Sequence, residues 1–148
     1  MRRDLPIFLI RVIVGSVFLL EGVLKFLRPE ELGAGRFAGI GLPFPHLLAQ
    51  VVGSVEIAGG AAILFNFYAG DAALVLLVVI LSALVTTKLP ILLGHPLGPF
   101  ALTKLHQYGL LSFLHEARVD LCMVFGSIAV LADSGLSLFR KRRWYQND

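Results

Sequence analysis

AALVLLVVILSALV, residues 72–85, offers one hydroxyl, Ser82, and no charge. A helix on the surface of a soluble domain needs a polar face, and this stretch has none. Continued to residue 93 it reaches the roughly 20 apolar residues that cross a bilayer core. Residues 5–27, 47–68 and 118–136 have the same apolar character. The whole chain agrees: of 148 residues 57% are hydrophobic and 16% charged, with a mean hydropathy of +0.82, outside the range of ordinary soluble domains. The expected architecture is all-α: one integral membrane domain over residues 1–148, a four-helix bundle with spans at about 5–27, 47–68, 72–93 and 118–136.

The formal charge of +3 and pI of about 9.4 do not point to nucleic acid. Four of the basic side chains form the run Arg140-Lys141-Arg142-Arg143 behind the last apolar segment, where topology and anionic lipid explain them better. With Arg2 and Arg3 on the same side, the positive-inside rule puts both termini in the cytoplasm. The first apolar stretch is too long for the core of a signal peptide and no A-x-A-like site follows, so it reads as a retained span. A single cysteine, Cys122, leaves no intramolecular disulfide and no dithiol relay.

Seven ionisable residues interrupt the apolar stretches or sit at their mouths: Arg11, Glu21, Lys25, Glu56, Lys88, Arg118 and Asp120. Charge is expensive in hydrocarbon, so they should pair or line a polar cavity. Arg11, Gly15, Phe18, Gly22 and Lys25 share one helical face, with Glu21 at its edge; Ala49, Gly53, Glu56 and Gly60 form a stripe on the second span that lets another helix approach closely. Glu56 falls near mid-membrane, and Glu21, Lys25, Lys88, Arg118 and Asp120 fall in the outward half. Two outward loops should cover that end. The first holds a short interfacial helix entered through Arg28-Pro29-Glu30-Glu31 and stopped by Gly41, Pro43 and Pro45; the second, about 94–117, forms a cap. A tight turn at Ala69-Gly70-Asp71 joins spans two and three.

Two readings of the charges stand side by side. In one, Glu56 is a proton-exchanging or ligand-binding acid with Arg11, Lys25 or Arg118 as its partner. In the other, a closed ion network sets helix register. Lys25–Glu21 reads as an intrahelical pair, Lys88 as a residue snorkelling outward, and Asp133 as a helix-end residue. His46, His95, His106 and His115 all fall at the outward face, where histidines either relay protons or are simply tolerated. No ligand spacing supports a metal site, because Val119 stands where an HExxH motif would need its second histidine. Gly33, Gly35 and Gly39 lack the spacing of a nucleotide loop.

The first-span pattern Arg11-x-x-x-Gly15-x-x-Phe18-x-x-x-Gly22-x-x-Lys25, with Gly41-Leu-Pro43 and Gly53-Ser-Val-Glu56-Ile-Ala-Gly59-Gly60, resembles the DoxX family of small four-span bacterial membrane proteins. Residues 113–121, from Phe113 through His115, Glu116, Arg118 and Asp120, are similar to a segment before the last span in one DoxX subgroup. The ending differs, with Phe139 where the family carries an acid. The resemblance implies Arg11, Lys25 and Glu56 as recurring polar residues and a place in the bacterial cytoplasmic (inner) membrane. It also implies company with redox systems, such as the membrane subunit of a thiosulfate:quinone oxidoreductase. The expected role is therefore a membrane component of a quinone-linked redox system fed by a sulfur compound or thiol. Glu56, Arg11, Arg118 and Asp120 are its candidate catalytic residues, and Lys25, Glu21, His106 and His115 its candidate cofactor site, with quinone the expected cofactor. Partner subunits or further copies of the chain should complete it. The alternative is a non-catalytic assembly protein whose buried charges steady a complex.

Overall fold

A computed structural model describes residues 4–136. It is all-helical among these residues. The helices are α1 (Asp4–Leu27), α2 (Ala34–Ile40), α3 (Pro45–Leu64), α4 (Ala69–Ala83), α5 (Leu89–Leu93) and α6 (Leu110–Ser134). A single π-helical turn, Leu84–Lys88, joins α4 to α5. The long elements pack in a ring, α1 on α3, α3 on α4, α4 on α6 and α6 on α1. Val14, Phe18, Ile63, Leu76, Met123 and Val130 fill the centre. Large apolar side chains also cover the outside, among them Phe8, Ile13, Leu20, Val51, Val78 and Phe125, which suits lipid rather than water. Among the described residues three segments are long and apolar enough to cross a membrane: Leu5–Leu27, Pro45–Leu64 and Ala69–Leu93.

Helix ends follow local chemistry. Pro29, just past the end of α1, disfavours helical conformation in the residue before it. Gly41, at φ 90°, closes α2, and Pro45 opens α3 at a position that needs no N–H donor. The N-terminal signal of the first loop is displaced: residues 28–32 form turns, with Arg28 and Glu31 3.8 Å apart, and α2 begins only at Ala34 without an acid in its first turn. Pro90 explains the π-helical turn. Its missing N–H and its ring bulk at the Thr86 carbonyl prevent a regular α ladder, and widening the preceding turn lets the helix continue to Leu93.

Two expected boundaries move. The turn between α3 and α4 is Phe65–Tyr68 in position, residues 65–68, and Ala69-Gly70-Asp71 already lies in α4. Asn66 and Tyr68 take left-handed φ values of 55° and 48°, which breaks the helix at these residues, while Asp71 gains from the positive end of the α4 dipole. The fourth long helix starts at Leu110, not 118. Gly109 (φ 108°) is the break, and nothing in Ser112 to Ala117 stops a helix, so His115 and Glu116 are helical rather than part of a cap. The remaining loop, 94–109, does lie against the first: the Ala101 N–H donates to the Ile40 carbonyl at 2.8 Å, and the Gly109 N–H to that of Ile91 at 3.1 Å. The basic residues used for topology, Arg2, Arg3 and 140–143, and Phe139 lie outside the described residues.

Candidate functional site: a buried charge cluster

The glycine faces of α1 and α3 meet as their spacing requires. A Cβ on Gly22 would stand 2.6 Å from the Gly53 carbonyl oxygen, and one on Gly60 2.7 Å from that of Gly15. Only helices bare of side chains at these points can come so close. Lys25 stands opposite Gly53, its Cβ 3.4 Å from where a Cβ on that glycine would lie, and its side chain runs along α3 to Glu56, one turn further on. Its Nζ donates to Glu56 Oε2 at 2.6 Å. The two side chains are 10% and 7% exposed, whereas Glu21, 3.9 Å from the same Nζ, is 47% exposed. Lys25 therefore stands between an accessible and an inaccessible carboxylate. It is more than the intrahelical partner of Glu21 that its spacing suggests.

A second lysine has a similar position. Lys88, at the end of the π-helical turn, lies 3.7 Å from Glu116 on α6, and Asp120, one turn further along α6, is half-buried within electrostatic reach of Lys88, Arg36 and Glu21. Lys88 thus points inward to α6. Beside Glu116 an open cleft of about 290 Å³ is lined by His106, Gln107, Ser112 and His115, with two leucines. Glu21 lies within electrostatic reach of both Glu56 and Asp120, so the two lysine-centred groups adjoin, and His106 and His115 line the cleft beside Glu116.

Arg11 and Arg118 do not join Glu56. Arg11 donates to Asp133 Oδ2 at 2.6 Å and to Ser134 Oγ at 3.0 Å, tying the start of α1 to the end of α6. Arg118 is exposed and donates to the His115 carbonyl of its own helix. The reason is geometric: Arg11 lies two helical turns of α1 farther from Gly22 than a side chain can span, while Arg118 points off the face that α6 buries. Asp133, expected only as a helix-end residue, is the partner of Arg11, because an antiparallel ring puts the start of α1 beside the end of α6. Arg11→Gln should loosen this tie, lowering stability by about 1–2 kcal/mol, read as an earlier thermal transition in detergent. Cys122 is exposed on α6. Among the described residues no three His, Cys, Asp or Glu side chains gather as a metal-ligand group.

The arrangement can hold a proton or a polar ligand against a carboxylate–ammonium pair in apolar surroundings, where each charge is stable only through its partner. A family model described as DoxX matches residues 7–89, a range that contains Arg11, Glu21, Lys25, Glu56 and Lys88. The chain is 42% identical over 122 residues to "Uncharacterized membrane protein Rv3486" of Mycobacterium tuberculosis, covering 82% of this chain and 71% of that one. It is 31% identical over 87 residues to "Putative oxidoreductase CatD" of Bacillus subtilis, covering 58% of this chain and 62% of that one. No solved structure matches.

Proposed function

This chain belongs to the DoxX family of membrane proteins, and from that premise we propose that it serves a quinone-linked redox system in the bacterial cytoplasmic membrane. All four long helices cross the bilayer in this reading, with both termini in the cytoplasm and the charge cluster in the outward half. Glu56 takes or gives the proton that accompanies quinone chemistry, and Lys25 holds its charge. Two thiols, or an equivalent sulfur reductant, would lose two electrons and two protons, and the quinone would gain both as quinol. The chain has one cysteine, so electrons come from a partner subunit or directly from the reductant.

The observation that carries this reading is the Lys25–Glu56 pair at 2.6 Å inside an apolar bundle. Such a pair gains little over well-packed apolar residues, and ionisable groups at membrane depth commonly mark proton or ligand sites. The oxidoreductase name of the Bacillus subtilis relative adds support. Lipid extracted from the protein purified in mild detergent should contain quinone in near-stoichiometric amount, and the Glu56→Gln variant should lose it while keeping its fold. Absence of quinone above the lipid background in both would end this reading. It would favour a non-catalytic assembly protein, which the closed pairs Lys25–Glu56 and Arg11–Asp133 also suit.

A further inference from the structure

The cleft and the two lysine-centred groups line up. Glu116 belongs to both, since its side chain helps line the cleft and its Oε2 lies 3.7 Å from Lys88 Nζ. Asp120, one turn beyond Glu116 on α6, lies within electrostatic range of Lys88 and Glu21. Glu21 is 3.9 Å from Lys25 Nζ, which in turn donates to Glu56. The two ends differ in exposure, 34% at Glu116 against 7% at Glu56, with Glu21 between them open at 47%. Acids and bases alternate through most of the series. The carboxyls of Glu21, Glu56, Glu116 and Asp120 face the cations Lys25, Lys88 and Arg36, so full ionisation leaves one negative charge in excess.

We propose that this series is a proton route from the cleft at the start of α6 to Glu56, with His106 and His115 as its mouth. The inference rests on the reading of Glu56 as a proton-exchanging acid and adds how protons reach it. A proton arriving on an imidazole passes to the Glu116 carboxylate, and the imidazole returns to its neutral form. From there it moves through Lys88 and Asp120 to Glu21. Lys25 gives its own proton to Glu56 and recovers one from the Glu21 carboxyl, so each step breaks one N–H or O–H bond and forms another, with no change of oxidation state. The separations of 3.7 and 3.9 Å exceed a direct hydrogen bond, so these transfers use a side-chain rotation or an intervening water. A half-exposed Glu21 could instead exchange protons directly with the surroundings, and the experiment separates that shorter path from the proposed one.

The test is a rapid pH jump on the full-length protein in lipid nanodiscs, followed by infrared absorption of the Glu56 carboxyl. That band is identified by its loss in Glu56→Gln. Glu116→Gln should slow protonation of Glu56 by on the order of tenfold or more without changing the final level. His106→Ala/His115→Ala, which leaves the Lys88–Glu116 pair in place, should slow it likewise and guards against a folding defect in the first variant. Glu30→Gln, on an exposed turn, should leave the rate unchanged. Wild-type rates in both route variants would overturn the route while Glu56 kept its proton role, and would assign entry to Glu21. A Glu56 band that fails to titrate between about pH 4 and 9 would overturn both the route and the role of Glu56.

Discussion

Lys25→Met is expected to lower the stability of the bundle by about 3–5 kcal/mol, because it leaves the Glu56 carboxylate buried without its counter-ion. The methionine roughly preserves the length and bulk of the lysine stem, so lost packing contributes little. Most of the effect should therefore disappear in Lys25→Met/Glu56→Leu, where both charges are gone and the apolar pair can pack between α1 and α3. Thermal unfolding in a fixed detergent, run as a double-mutant cycle, measures this coupling. If the double variant is as unstable as the single one, the pair owes its effect to packing and not to unpaired charge. The quinone experiment then reads independently: a stable double variant without quinone would separate the structural part played by the pair from its chemical one.

Gly22→Leu should have the other large effect, a loss of about 3 kcal/mol or more. Even its Cβ would meet the Gly53 carbonyl oxygen at 2.6 Å and the Ile57 nitrogen at 2.8 Å. Both are backbone atoms, and neither can turn aside as a side chain would. The helices must separate, and with them Lys25 and Glu56, so loss of stability and loss of the ion pair should appear together. Gly39→Ala is the internal comparison. It lies in α2 with nothing within 4 Å of its added Cβ, and it should be neutral or raise stability by about 0.5–1 kcal/mol, since alanine loses less backbone entropy in a helix. Equal loss of stability in both variants would show that the α1–α3 approach is not as tight as the glycines imply.

The different fates of Lys25, Arg11 and Lys88 show what local pattern can carry. The spacing of glycines and charges along α1 and α3 was sufficient to place Lys25 and Glu56 on facing stripes, because helical periodicity assigns a face from sequence alone. It could not choose among Lys25, Arg11 and Arg118 as the partner of Glu56. That choice depends on how far one helix slides along the other, which is set where Gly22 meets Gly53. Lys88 looked like a snorkelling residue because its partner Glu116 lies on another helix, and that helix was expected to start only at residue 118. His115 and Glu116 look like loop in the sequence for the same reason: the polar start of α6 lowers its hydropathy without interrupting its helical backbone.

What the sequence determined by itself was the membrane character, the positions of the apolar segments, the faces that must meet and the family to which the chain belongs. Each of these rests on composition or on spacing within one segment. Only the tertiary structure decided the pairings, Lys25 with Glu56, Lys88 with Glu116 and Arg11 with Asp133, and it alone joined His106, His115 and Glu116 along one cleft. An ion pair needs its partners within a few ångströms, and distances that small between segments far apart in the chain are set by helix order, offset and close approach.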